Sequence, residues 1–194
     1  MSSFSTTGLL FFCALLGSAF SYKCISCISK NSTECEESVI DCVGSRCMTG
    51  SEYYHNGDQT YNIIFKGCAN ESLCDAVGSV TQDPDVKIRT YAKCCSGDNC
   101  NNDKFQLPEE DSTPNGVKCP SSYCKGTTEE CKSDKEIECT GSEKQCYDYR
   151  GRIMNPDGSV DDYSSKGCIN KPGCMHNFNC LIKVEEIKRT LLKC

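Results

Sequence analysis

The chain predicts an all-β, disulfide-rich protein made of two small domains in tandem. Three observations carry this. Twenty of its 194 residues are Cys, a density that marks a disulfide scaffold formed in an oxidising compartment. The spacing of those cysteines repeats. The segments between them are short, alternate apolar with polar residues, and are separated by turn residues.

The repeat is the strongest of the three. From Cys24 to Cys94 the gaps between cysteines are 2, 7, 6, 4, 20, 5 and 19 residues. From Cys119 to Cys194 they are 4, 6, 7, 6, 21, 5 and 19 when Cys180 is skipped. Lys66-Gly67-Cys68 recurs as Lys166-Gly167-Cys168. The units are therefore 22–102 and 117–194. Residues 103–116 between them are polar and acidic and contain Pro108 and Pro114, which is linker composition. With no Trp and 8% aromatics, two thin cores held by bridges fit better than one large core. Each native bridge contributes about 2–4 kcal/mol. The formal net charge of −6 argues against nucleic acid or an anionic membrane as the main partner, and leaves basic proteins open.

Taken in order, the chain begins with Leu9-Leu10-Phe11-Phe12-Cys13-Ala14-Leu15-Leu16. This apolar run is too short to span a bilayer and has the length of a signal-peptide core. Ala19 and Ser21 supply small residues for cleavage before Tyr22, so residues 1–21 read as a signal peptide, although no Lys or Arg precedes the apolar run. Removal of Cys13 leaves 19 cysteines, an odd number. One of them then stays a free thiol or bridges to another chain, which leaves a homo-oligomer open. Cys180 has no counterpart in the first unit and is the expected unpaired residue, unless it displaces Cys174 or Cys194.

In the first unit, 61–68 and 85–94 read as strands. The second alternates, with Val86, Ile88, Thr90 and Ala92 on one face and Lys87, Arg89, Tyr91 and Lys93 on the other. His55-Asn56-Gly57-Asp58-Gln59 carries the Asn-Gly hairpin signal, and Asn155-Pro156-Asp157-Gly158 holds the same place in the second unit. The two read as the tips of long hairpins, free for contacts. Residues 184–192 have apolar residues at helical spacing but align with the last strand of the first unit. They read as a strand or an irregular segment. The C-terminal run is too charged for a transmembrane helix or lipid-anchor tail, so no membrane anchor is expected.

No catalytic constellation is present, and no cofactor or metal is expected. His55 lies beside a turn and His176 in Cys174-Met175-His176 has no flanking motif. Cys24-Ile25-Ser26-Cys27 has the spacing of a redox or zinc pair, but regularly spaced cysteines in a secreted chain oxidise. Glu109-Glu110-Asp111 reads as a solvated linker rather than as a docking site for a basic partner. Asn31-Ser32-Thr33 and Asn70-Glu71-Ser72 are glycosylation sequons.

Cys94-Cys95-Ser96-Gly97-Asp98-Asn99-Cys100-Asn101 is the most informative stretch. Adjacent cysteines do not easily bond each other, so Cys94 reaches back into the chain. Cys95 can close a short loop onto Cys100 around four turn-favouring residues. The stretch resembles the closing motif of the three-finger, or lymphocyte-antigen-6/urokinase-receptor, domain family. The resemblance implies two tandem three-finger domains and a structural role for Asn101. It also implies the pairing Cys24–Cys47, Cys27–Cys35, Cys42–Cys68, Cys74–Cys94 and Cys95–Cys100. By analogy with the first unit, the second is expected to pair Cys119–Cys146, Cys124–Cys131, Cys139–Cys168 and Cys174–Cys194, without the final closed loop.

Within that family the chain most resembles the gamma-type phospholipase A2 inhibitors. Ser72-Leu73-Cys74, Asn115-Gly116-Val117-Lys118-Cys119 and Gly141-Ser142-Glu143-Lys144-Gln145-Cys146 add to the motifs already quoted. Cys180 departs from the inhibitor pattern. The resemblance implies a secreted, non-enzymatic protein that blocks secreted phospholipase A2 by direct contact. The enzyme itself is a poor match, since no His follows Cys94-Cys95. The same architecture is similar to amphibian sodefrin-precursor-like factors, which implies the alternative of a pheromone-like signal acting on a receptor. A binding module for another protein is the third reading.

Overall fold

The computed structural model describes residues 20–30, 35–57, 59–104, 107–133, 135–154, 159–175 and 185–194. Residues 1–19 of the expected signal peptide, Asn31, Asn155–Gly158, His176 and Cys180 lie outside the described residues.

The first domain is three antiparallel hairpins. Strands β1 (Ser21–Lys30) and β2 (Ser38–Val43) form the first, β3 (Arg46–Asn56) and β4 (Gln59–Ala69) the second, and β5 (Val77–Asp83) and β6 (Val86–Cys95) the third. The middle hairpin closes where the sequence places its Asn-Gly turn: Asn56 faces Gln59, and Gly57 takes φ +56°, a left-handed conformation that glycine adopts without a Cβ penalty. In the second domain β7 (Pro114–Lys125) pairs with β8 (Lys135–Thr140), and β9 (Gln145–Met154) with β10 (Val160–Ile169). A single helical turn, α1 (Lys171–Met175), follows, and β11 (Glu185–Lys193) adds to β9. Both domains are three-finger domains. Segment 184–192 is thus a strand from Glu185 onward. Its helical spacing is overridden by the unsatisfied edge of β9, which needs a hydrogen-bonding partner.

Among the described residues nine disulfides tie the finger bases. The structure joins Cys24–Cys47, Cys27–Cys35, Cys42–Cys68, Cys74–Cys94, Cys95–Cys100, Cys119–Cys146, Cys124–Cys131, Cys139–Cys168 and Cys174–Cys194. Buried cystine sulfur forms the base of each domain: Cys24, Cys42 and Cys47 in the first, Cys119, Cys139 and Cys168 in the second. The three sulfurs of the second cluster lie within 4.8 Å of one another. All three are consumed in disulfides, so none offers the thiolate that metal ligation requires. The Lys-Gly-Cys motif has a common use in both copies. Lys66 pairs with Glu37 at 2.7 Å and Lys166 with Glu130 at 2.6 Å, Glu37 two residues after Cys35 and Glu130 directly before Cys131.

Asn101 locks the first domain. It is 3% exposed. Its Oδ1 accepts from the Ile25 amide at 3.0 Å, and its Nδ2 donates to the carbonyls of Ile25 at 2.8 Å and Met48 at 2.9 Å. One side chain thus satisfies backbone groups of β1 and β3. The loop closed by Cys95–Cys100 runs against β1, with the Lys23 amide donating to Asp98 and the Asn99 amide donating to the Lys23 carbonyl.

The two domains share one sheet. Its order is β11-β9-β10-β5-β6-β3-β4-β1-β2, with β7 and β8 branching from β10. The join is the β10–β5 pair, where Cys168 faces Thr81 and Ile169 faces Val80. The apolar cluster there, Val80, Tyr147, Tyr149, Tyr163 and Ile169, draws on both domains.

The segment between the domains is exposed from Pro108 to Pro114, as expected of a solvated linker, but it is also pinned to β6. Arg89, placed on the open face of its strand by alternation, is only 9% exposed. Its guanidinium donates to the carbonyls of Pro108 and Glu109 at 2.8 and 3.2 Å, and Lys87 pairs with Glu110 at 3.0 Å. The acidic run is a strap across β6, held by the basic residues of that strand.

Candidate functional site: the joint and the tyrosine face beside it

The joint is built from side chains that cross between domains. Asn170 follows β10 and is 2% exposed. Its Nδ2 donates to the Val77 carbonyl at 2.7 Å and to Ser142 Oγ at 3.2 Å. Its Oδ1 accepts from the amides of Ser79 at 3.0 Å and Gly173 at 2.9 Å. The bond to Gly173 caps α1, so one side chain both starts that turn and binds the other domain. Ser121 Oγ adds a bond to the Gln82 carbonyl at 2.6 Å.

Glu143 is the second crossing residue. The loop before Cys146 has two residues more than its counterpart before Cys47, and this extension carries Glu143 to β5. Its Oε1 accepts from Ser79 Oγ at 2.5 Å and Thr81 Oγ1 at 3.1 Å. Its Oε2 is buried with no hydrogen-bond partner among the described residues. Burial pushes its pKa above the ordinary Glu value; the two hydroxyls and Lys87 oppose that rise, and Glu110 adds to it. Tyr147 shares the same buried region, and desolvation raises its pKa as well.

A pH effect follows. A carboxyl that holds its proton more tightly in the folded state contributes most below its unfolded pKa, and that contribution is lost as pH rises through the folded pKa. The window opens at the ordinary Glu value of 4.5 and runs upward. Thermal unfolding across this range should show wild type losing stability as pH rises relative to Glu143→Gln, which has no proton to lose. Parallel curves would remove Glu143 from this role.

Beside the joint lies a face rich in tyrosine. On β3, Tyr54 packs near Tyr61 with ring centroids 6.0 Å apart, and its hydroxyl accepts from Asn56 Nδ2 at 3.0 Å. On the second domain, Tyr123 and Tyr163 lie 5.7 Å apart, with Lys125 Nζ 6.0 Å from the Tyr163 ring and paired to Asp161 at 2.8 Å. The two groups are neighbours. Desolvation raises the Tyr54 pKa; the Asn56 hydrogen bond and Lys125 oppose that rise, and Tyr163 adds to it. Desolvation also raises the Tyr123 pKa well above the ordinary phenol range. Tyr123 is 37% exposed. Phenol rings with a hydroxyl at the edge give large contact area at small entropic cost, the chemistry favoured in protein interfaces. On the opposite face of the same finger, Tyr53 stacks with His55 at 6.3 Å, and His55 Nδ1 lies 3.1 Å from Thr60 Oγ1.

The structure therefore brings together residues that sequence reasoning left apart. The hairpin tip at 55–59 is where the turn signal places it, but the aromatic face needs the second domain beside it. Glu143 had one signal in the sequence, the longer gap between Cys139 and Cys146. Asn170 had another, its alignment with Asn70.

These features define a disulfide-tied, tandem three-finger protein. Residues 21–103 and 115–185 match the u-PAR/Ly-6 domain, and the chain belongs to that family. It is 29% identical over 114 residues to "Phospholipase A2 inhibitor PIP" of Malayopython reticulatus, covering 57% of this chain and 54% of that protein. It is 27% identical over 158 residues to "Phospholipase A2 inhibitor 25 kDa subunit" of Naja kaouthia, covering 78% of this chain and 82% of that one. The chain thus spans about half the length of the first relative. Mouse TEX101 aligns over 87% of this chain and 95% of its own at 18% identity, with a TM-score of 0.32, too low to support a fold inference. Among the described residues no helix is long and apolar enough to cross a membrane.

Proposed function

We propose that this is a secreted protein that binds a secreted phospholipase A2 and inhibits it by contact. The observation that carries the reading is the match, across most of the chain, to a relative named as a subunit of a phospholipase A2 inhibitor. The tyrosine face supports it by offering a surface of suitable chemistry. Inhibition of this kind needs no bond-making residue on the inhibitor. It is enough to cover the enzyme surface that must meet lipid. The net charge of −6 favours a basic partner surface and a salt-sensitive association rate.

The test is equilibrium binding of the oxidised chain to a panel of secreted phospholipases A2. Saturable binding to at least one is expected. Tyr123→Ala, at an exposed ring, should weaken it about tenfold or more, the effect of losing an aromatic hot spot. No saturable binding across the panel would overturn the reading and favour a signal that acts on a receptor.

A further inference from the structure

We infer that Asn70 is an N-glycosylation site, and that its glycan covers the end of the first domain whose counterpart in the second domain is buried in the joint. Cys68-Ala69-Asn70 and Cys168-Ile169-Asn170 occupy the same place, each ending the second strand of a middle hairpin. The two copies have opposite environments. Asn170 is 2% exposed and commits its amide to four bonds, three of them to groups of β5 or the loop at Ser142. Asn70 is exposed and extended, at φ −71° and ψ 150°, and its side chain makes no capping bond to the short turn that follows.

The neighbouring glycine repeats the contrast. A Cβ on Gly167 would lie 2.2 Å from the Thr81 carbonyl, whereas a Cβ on Gly67 would meet nothing within 4 Å. The same surface is a dock in one domain and open in the other. Only the open copy carries a sequon. Asn70-Glu71-Ser72 has the required hydroxyl residue two places on, whereas Asn170-Lys171-Pro172 has Pro there. Glu71 and Ser72 are exposed, and Glu71 is held aside by Arg46 at 3.0 Å.

Modification requires an Asn amide nitrogen that is accessible and unused, and Asn70 provides it. The donor is a polyprenyl-diphosphate-linked oligosaccharide. A bond forms between Asn70 Nδ2 and the anomeric carbon of the first sugar, and the bond from that carbon to the diphosphate oxygen breaks. The amide nitrogen loses one proton, and the lipid diphosphate departs with the bonding electrons. A large, hydrated sugar then occupies the face against which a further domain would otherwise pack.

The inference rests on the reading of the chain as secreted, and one experiment separates the two. The full chain is expressed in a glycosylating animal cell, and medium and cells are collected. The peptide containing Asn70 is treated with an amidase-type glycosidase in heavy-oxygen water and read by mass spectrometry. Conversion of Asn70 to labelled Asp in most molecules from the medium is expected. Ser72→Thr should retain the label, and Ser72→Ala should lose it. A secreted chain with Asn70 unmodified overturns the inference while leaving secretion intact. A chain held in the cytosol with Asn70 unmodified overturns both.

Discussion

Replacing Asn101 with Ala is expected to lower the unfolding free energy by about 3–5 kcal/mol, because each buried backbone group stripped of its partner costs about 1–3 kcal/mol. The groups are specific. Ile25 loses a partner for both its amide and its carbonyl, and Met48 loses one for its carbonyl. These atoms lie on β1 and β3, which the side chain holds together inside the cystine base. Asn101→Asp is the informative companion. A carboxylate still accepts from the Ile25 amide, but it turns an acceptor toward two carbonyls. It should not rescue stability. Urea unfolding with all bridges intact measures both variants. A loss below about 1 kcal/mol for Asn101→Ala, the value of one ordinary hydrogen bond, would show that the three bonds do not act together.

The second large effect is expected at Gly167. An added Cβ would stand 2.2 Å from the Thr81 carbonyl and 2.8 Å from Gln82 Cα. Both are backbone, so neither can swing aside. Gly167→Ala must separate β10 from β5, at a cost of about 3 kcal/mol, the upper range for overpacking. The loss should appear as loosened domains, since the bridges and hairpins of each domain do not depend on this contact. Small-angle scattering should show a longer molecule, and amide exchange at the β10–β5 pair should quicken. Gly67→Ala is the matched control, at the same motif with open space around it, and should leave both readouts unchanged. An equal response from the two variants would contradict the joint described above.

The fold was legible because its signals are local or periodic. Cysteine gaps, the Asn56-Gly57 turn and the closing motif at Cys94–Asn101 each state their structure within a few residues. The joint was not, because it depends on two distant segments meeting. Glu143 sits in a charged loop and looks solvated until β5 is placed against it. Arg89 alternates like a surface residue until the strap crosses it. Segment 184–192 has helical spacing, yet it forms an edge strand from Glu185 onward, because such a strand needs only backbone partners, which its side-chain pattern does not announce. The tyrosine face divides in the same way. Tyr54 and Tyr61 belong to one hairpin, but Tyr123 and Tyr163 reach them only through the β10–β5 pair.

The functional reading is tested most directly by the hydrolysis of phospholipid vesicles by a secreted phospholipase A2, titrated with the oxidised chain. A saturable fall in hydrolysis is expected that reaches its floor when the enzyme is fully bound, with a weaker fall for Tyr123→Ala. Hydrolysis that continues undiminished while the enzyme is saturated would contradict contact inhibition, and leave this chain a binding protein of another kind.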